Sequence, residues 1–381
     1  MRSLRSCLAL PLALGLALLA ARPAAADRSF GPRKLPFKIG IMTGTVSQGE
    51  DEYRAAEKVV KEYGADAISH VTYPDNFMTE SETTISLLKG LADDPDVKAI
   101  VVAQAVPGTI PAIKKIRADR PDISFILNTP HEDPKQVAKY ADVAITEDEL
   151  RRGETIVALA KRLGAKAFVH YSFPRHMSQQ LLAERRDLMR KECEKLGMKF
   201  EFVNAPDPTG DQGLPGAQKF ILEDVPREVA KLGKDTAFFS TNCGMQEPLI
   251  LAALDQGAIF PEQCCPSPTH GYPGALGIKV DEATAGDMAK IRAAIAAKIA
   301  EKHGTGRFAT WPVSMSVVMI EASTELAIEA ATAGDGAREK LRDPALVRAA
   351  LEKAAGVKVN VRPLSSEEPG YLLVIADSVV F

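Results

Sequence analysis

The stretch Thr236–Gly257, TAFFSTNCGMQEPLILAALDQG, joins a short apolar run, a polar turn and an apolar helix. Ala237, Phe238 and Phe239 are too few for a helix and read as a buried strand fed by Lys234 and Asp235. Leu249, Ala253 and Leu254 then recur at helical spacing, Pro248 fits only a first turn, and Gly257 supplies a stop. A strand that runs at once into a helix puts Thr241, Asn242 and Cys243 at the carboxyl end of a sheet. Open α/β folds bind ligands there, because helix amino termini present free N–H groups. Asn242 is therefore a candidate ligand contact, and its competing role is that of a helix cap.

The same grammar runs along the chain in both directions. Phe37–Met42, Ala67–Val71, Lys98–Ala103, Ser124–Leu127 and Asp142–Ile145 read as strands, with helices between them carrying Tyr53, Ala56 and Val60, then Ile85, Leu88 and Leu91, then Ile110, Ile113 and Ile116. Capping-box spacings stand at Ser47/Glu50, Thr79/Glu82 and Thr146/Glu149. Repeated β-α units require right-handed crossovers, a parallel sheet and helices on both faces. The pattern restarts with strands Ala165–His170, Lys199–Val203 and Thr236–Ser240, and helices near Ser178–Leu196 and Val225–Leu232, so a second lobe is expected. The stretch CCPSPTHGYPG from Cys264 to Gly274 cannot be helical and reads as a lobe crossing, as does Trp311-Pro312. Helices near Glu282–Lys302 and Val317–Ala331 and a strand Tyr371–Ile375 follow.

Arg2 and Arg5 precede an apolar run from Leu8 to Ala21, and Ala24-Ala25-Ala26 precedes Asp27, the pattern of a secretory signal cleaved after Ala26. The run is too short for a membrane span, and Cys7 lies ahead of it, where no lipid anchor forms. Losing Arg2, Arg5 and Arg22 lowers 47 basic residues to 44 against 50 acidic ones, so the net charge moves from −3 to −6. An acidic product without a basic block is a poor fit to nucleic acid or an anionic membrane surface. With 46% hydrophobic and 25% charged residues the chain is globular, and the length left after cleavage suits two lobes. Residues 27–146 with about 270–312 are expected to form an N-terminal lobe, and 147–269 with about 313–381 a C-terminal lobe.

In order along the chain, KIGIMTG, GEDEYRAAEKVVKEYGAD, DVKAIVVAQAVPG, SFILNTP, ADVAITEDELRRGETIVALAKRLGAKAFVHY, SQQLLAERRDLMRKECEKLGMKFEFV and FFSTNCGMQEPLILAALDQG resemble the type I periplasmic solute-binding proteins, which share their fold with sugar-responsive bacterial repressors. The resemblance spans the chain after the signal, rests on patterns and not on a strict signature, and points to a separate branch. It implies two Rossmann-like lobes, a hinge of several crossings and a ligand held between them by side chains at strand ends. Here those ends carry Thr43, Thr45, Tyr73, Gln104, Asn128, Thr129, Tyr171, Ser172, Asn204, Asp207, Thr241 and Asn242. Most are neutral hydrogen-bonding residues, which suits a small polar solute such as a nucleoside, sugar, amino acid or short peptide. Sugar binders carry an Asp at the position of Cys243, and a thiol accepts hydrogen bonds poorly, so a sugar is less well supported than the fold. The resemblance also implies a periplasmic monomer that needs no cofactor and delivers its solute to an ABC-type permease or a receptor. Tyr73, Phe77, Tyr171, Phe173 and Tyr272 could stack on a ring, although packing under a loop is the commoner role of any one of them.

Cys193 stands four residues after Met189 on the apolar stripe of its helix and reads as a buried small hydrophobe. Cys243, Cys264 and Cys265 remain, with one disulfide expected between Cys243 and either of the other two. A metal centre at Cys264, Cys265 and His270 lacks a fourth ligand in the sequence and matches no zinc spacing, so none is expected. An enzyme would need His131 with Glu132 and Asp133, or His170 with His176, as an acid–base pair, and Ser172 or Cys243 as a nucleophile. G-x-S-x-G, H-E-x-x-H, G-x-G-x-x-G and P-loop patterns are absent, and a non-enzyme is expected.

Overall fold

Seven strands of the first sheet lie in the order β10-β11-β5-β4-β3-β1-β2, where β1 is Lys38–Thr43, β2 Ile68–Thr72, β3 Val97–Val102, β4 Ser124–Asn128, β5 Val143–Glu147, β10 Asn360–Pro363 and β11 Tyr371–Ile375. All pair in parallel except β10 with β11. The second sheet has the order β7-β6-β8, from β6 (Ala167–Ser172), β7 (Lys199–Asn204) and β8 (Thr236–Ser240), all parallel. A short antiparallel pair joins β9 (Ala309–Thr310) to β12 (Val379–Val380). This computed structural model describes residues 34–280, 287–334 and 336–381; the expected signal segment and the first turn of the expected helix Glu282–Lys302 lie outside them.

The two-residue period of the strands sorts the first core onto two faces. Ile39, Ile41, Ala99, Val101 and Ile126 meet the helices Val46–Tyr63, Met315–Ala333 and Pro344–Ala355, whereas Met42, Ile100, Val102, Phe125 and Leu127 meet Ser81–Asp93 and Thr109–Asp119. In the second sheet Val169, Tyr171 and Phe238 face Gly213–Leu232, Gln246–Asp255 and Met288–Glu301, and Phe168, Ala237 and Phe239 face Glu149–Arg162 and Gln180–Lys195. The α/β architecture with parallel sheets flanked by helices is the one expected from the sequence.

The C-terminal third departs from that expectation. Helix Met315–Ala333 packs on the first sheet and β11 pairs with β5, so most of 313–381 belongs to the first lobe. Helix Met288–Glu301 buries Ile291, Ile295 and Ile299 against the second sheet, so the stretch from 270 to the hinge at Trp311 belongs to the second lobe. The chain crosses between sheets near Glu147–Glu149, at Trp311–Ser314 and after Ile375, and β12 returns to pair with β9. The proline-rich stretch from Cys264 is a folded loop and not a crossing, because Tyr272 within it is buried in the second core and donates to the Ala309 carbonyl at 2.9 Å. Apolar periodicity marks which helices are buried and not which sheet they cover, and both sheets offer the same kind of surface.

Local details differ too. The helix expected from Val225 begins at Gly213 and runs through Pro226. None of the three capping boxes forms as spaced. Ser47 and Thr45 give their hydroxyls to Asp75, the helix Ser81–Asp93 has no side-chain cap, and Asp148, not Thr146, accepts from the Arg151 N–H at 3.0 Å.

Candidate functional site

A cavity of about 300 Å³ opens where the carboxyl ends of both sheets face each other. The first sheet contributes Gln104 after β3, Thr129 after β4 and Glu147 at the end of β5; the second contributes Arg175, His176, Thr241, Asn242 and Cys243. Gln104 and Thr129 have φ of 54° and 45°, left-handed values that non-glycine residues adopt at a cost. Both strained residues sit in the cavity wall.

Helix Val46–Tyr63 reaches the cavity through Ser47, Gln48 and Glu52. Its backbone breaks from helical geometry at Gly49, where an added Cβ would run into the Glu52 carboxylate and stand 2.9 Å from Gln104 Nε2. The Gln104 amide donates to Glu52 at 2.8 Å and to the Gln48 carbonyl at 3.4 Å. Burial lifts the Glu52 carboxyl to about 7, and the Gln104 hydrogen bond only partly offsets this.

Arg185 is 1% exposed and lines the cavity. It pairs with Glu149 through Nη1 and lies over the Phe239 ring at 4.9 Å, but its Nε and Nη2 have no hydrogen-bond partner among the described residues. Arg175 is held by Asp207 in a bidentate pair of 2.8 and 2.9 Å. His176 packs against Phe173 with ring centroids 4.3 Å apart and planes tilted by 37°, and its Nδ1 has no hydrogen-bond partner among the described residues. Unsatisfied buried donors are costly, and the Arg185 guanidinium leaves two of its nitrogens in that state among the described residues.

Behind the cavity a buried network joins the crossings. Arg152, fully buried, donates to Glu262 at 2.8 Å, to the Gln263 and Cys264 carbonyls at 2.7 and 2.8 Å, and to Glu149 at 3.2 Å. Glu262 in turn accepts from Trp311 Nε1 at 2.8 Å and from the Ser378 hydroxyl at 3.4 Å.

Of the twelve expected contact residues, Gln104, Thr129, Thr241 and Asn242 line the cavity. Asn242 Oδ1 accepts from the Gly244 N–H at 2.8 Å, capping the turn, and the residue also lines the cavity. Thr45 borders a separate shallow groove with Tyr53 and His70. Asp207 acts through Arg175. The others point elsewhere. Thr43 is bonded to Gly44 and His70, Asn128 to Ser323, Ser172 to Thr241 and Tyr171 to Asp224, Tyr73 is buried against Phe77, and Asn204 is exposed at the end of the edge strand β7. Of the five aromatic candidates only Phe77 reaches the cavity; Tyr73, Tyr171, Phe173 and Tyr272 are fully buried packing residues.

The sequence reading missed Glu52, Arg175 and Arg185 as cavity residues. Two of them carried a signal: Glu52 shares the buried face of its helix with Ala55, Ala56 and Val59, and Arg185 stands four before Met189 and eight before Cys193 on an apolar stripe. A charge on a buried stripe needs a partner or a ligand.

The enzymatic pairings considered above are not assembled. Glu132 accepts from the Ile110 N–H at 2.8 Å and Asp133 caps the helix Pro134–Tyr140, while His170 is buried among Phe200, Phe202 and Phe239 with neither nitrogen bonded. Burial, with Arg175 adding to it, drops His131 to about 4. The expected disulfide is not formed: Cys243, Cys264 and Cys265 are free thiols whose sulfurs stand 3.3 to 3.8 Å apart. The expectation of no metal centre rested on the spacing and on a fourth ligand missing from the sequence; the fold brings Cys243 beside the other three residues. Cys243, Cys264, Cys265 and His270 bring their ligand atoms within 4.8 Å of one another.

The family model described as "Protein of unknown function (DUF3798)" matches residues 37–309. An uncharacterized protein of Treponema pallidum (strain Nichols) is 41% identical over 180 residues, covering 46% of this chain and 81% of the relative. A crystal structure from Clostridium difficile 630, described provisionally as a transcriptional regulator, matches with a TM-score of 0.75 at 28% identity, covering 91% of this chain and 99% of that one. A sugar ABC transport system substrate-binding protein from Bordetella parapertussis 12822 matches with a TM-score of 0.52 at 11% identity, covering 92% and 90%. The chain therefore belongs to the DUF3798 family, and its fold is that of the type I periplasmic-binding-protein-like ligand domains.

Proposed function

We propose that this protein is an exported solute-binding protein that captures a small polar ligand between its two sheets and hands it to an ABC-type permease. The observation that carries the reading is Arg185: a guanidinium in the cavity wall, 1% exposed, with two nitrogens unpartnered among the described residues. Those donors favour a solute bearing a carboxylate or another strong acceptor, oriented further by Gln104, His176 and Asn242. Hinge bending is the mechanism. Contacts made from both sheets exist together only when the cavity is closed, so a ligand that makes them shifts the open–closed equilibrium by their differential free energy.

Export through a signal cleaved after Ala26 into the periplasm, as a soluble monomer, completes the proposal. Intact-mass measurement of the exported protein tests it, with Asp27 as the expected first residue. Among the described residues no helix is long and apolar enough to cross a membrane.

A second reading is favoured by the likeness to the Clostridium difficile protein described as a regulator: a ligand sensor whose closed state engages a receptor instead of a permease. Thermal-shift screening of polar metabolites after unfolding and refolding tests the shared core of both readings. A hit bound without turnover supports a binder, and formation of product supports an exported enzyme on a small polar metabolite. Reconstitution of the liganded protein with the permease then separates transport from sensing.

A further inference from the structure

We infer that Cys243, Cys264, Cys265 and His270 form a site for a thiophilic divalent cation of the zinc type, built into the second-sheet wall of the cavity. The three sulfurs are separated by 3.3 Å (Cys243 to Cys265), 3.7 Å (Cys243 to Cys264) and 3.8 Å (Cys264 to Cys265). Sulfurs bound to one tetrahedral zinc at about 2.3 Å stand about 3.8 Å apart, so two of the three spacings already fit and the third needs to open by about half an ångström. A disulfide needs two sulfurs at about 2.05 Å and strands the third. Convergence of three thiols with an imidazole, all ligand atoms within 4.8 Å, is the pattern of a four-coordinate centre.

The imidazole is already oriented. His270 Nδ1 stands 2.8 Å from the Cys265 carbonyl and Nε2 stands 3.4 Å from the Cys243 carbonyl; with the N–H on Nδ1, the Nε2 lone pair turns to a cation by moving off that longer contact. The loop bearing Cys264, Cys265 and His270 is held from behind by buried groups: Arg152 donates to the Cys264 carbonyl, and the Gln263 amide donates to the Ser267 and His270 carbonyls at 2.7 and 3.1 Å. Pro266 and Pro268 stiffen the same loop. Cys243 arrives from a different element, the turn after β8. A cation held by all four would therefore tie two segments of the cavity wall together. With four protein ligands no coordination position is left open, so the centre is structural.

The site does not depend on the identity of the solute, and its test reads the cation directly. Protein refolded metal-free under a reductant and without oxygen is titrated with zinc against a chromophoric chelator, and with cobalt(II). The expected result is one cation per chain, a thiolate-to-cobalt charge-transfer band, the visible spectrum of tetrahedral cobalt and a raised melting temperature. Cys243→Ser, Cys265→Ser and His270→Ala should each weaken zinc by more than about 100-fold. Cys193→Ser, in the buried stripe of another helix, should bind as the unaltered protein does. Absence of stoichiometric binding by the reduced protein, binding indifferent to these substitutions, or a Cys243 disulfide already present in the protein as purified would overturn the inference.

Discussion

Asp51, in the helix Val46–Tyr63 of the first lobe, accepts a hydrogen bond of 3.0 Å from the hydroxyl of Ser267, in the loop that carries Cys264 and Cys265. The same carboxylate accepts from Thr269 at 3.0 and 3.1 Å and from Ser314 at 2.6 Å, at the Trp311–Ser314 crossing. One side chain thus fastens the helix lining the cavity to the opposite wall and to the hinge. Asp51→Ala should lower solute affinity by one to two decades, about 1–3 kcal/mol, and make the particle more open in solution scattering. Unchanged affinity with unchanged scattering would remove Asp51 from the closed state.

Glu52 gives the pH dependence. Its carboxyl ionises near 4.5 ordinarily and at about 7 here, so the folded chain keeps a proton that the unfolded chain has lost. Stability should therefore fall as pH rises from about 4.5 to 7, and the cost, about 3 kcal/mol, is complete above 7. Glu52→Gln removes the charge and keeps an acceptor for the Gln104 amide. Denaturant melts at pH 5 and pH 8 should show the substituted protein more stable than the original at pH 8 and the two nearly equal at pH 5.

The Arg152 network should be costly to break. Arg152→Ala leaves Glu262 and Glu149 buried with fewer partners and frees two carbonyls, a loss of about 3–5 kcal/mol in chemical denaturation. A loss below about 1 kcal/mol would mean that water replaces the guanidinium.

Asn242→Ala should produce two effects, because the residue both caps and faces the cavity. Loss of the cap to Gly244 should cost about 1 kcal/mol of stability without ligand. Loss of an amide that donates and accepts should weaken solute binding by about one decade or more. A lowered melting point with intact affinity would reduce Asn242 to a cap.

Much of this was legible in the residues. The strand β8 and the strand Tyr371–Ile375 fall where short apolar runs and turn signals put them, and Gln104, Thr129, Thr241 and Asn242 reach the cavity because a parallel sheet sends every strand end to the same rim. Strand ends alone do not say which way a side chain points: Tyr171 turns under its sheet to Asp224, and Asn204 lies on an edge strand facing water. Glu52 and Arg185 come from helices, where only a misplaced charge on an apolar face marks them. The thiol cluster needed three dimensions, since Cys243 and His270 are far apart in the chain and share no spacing motif.

The central claim, that the two sheets enclose a site for one small polar solute, is tested most directly by calorimetric titration. The refolded protein is titrated with the molecule that native mass spectrometry finds on the untreated protein. The account predicts one solute per chain, with affinity at least about tenfold weaker in Arg185→Met and in Gln104→Ala. No retained molecule and no titratable binding across polar metabolites, or binding indifferent to both substitutions, would contradict it.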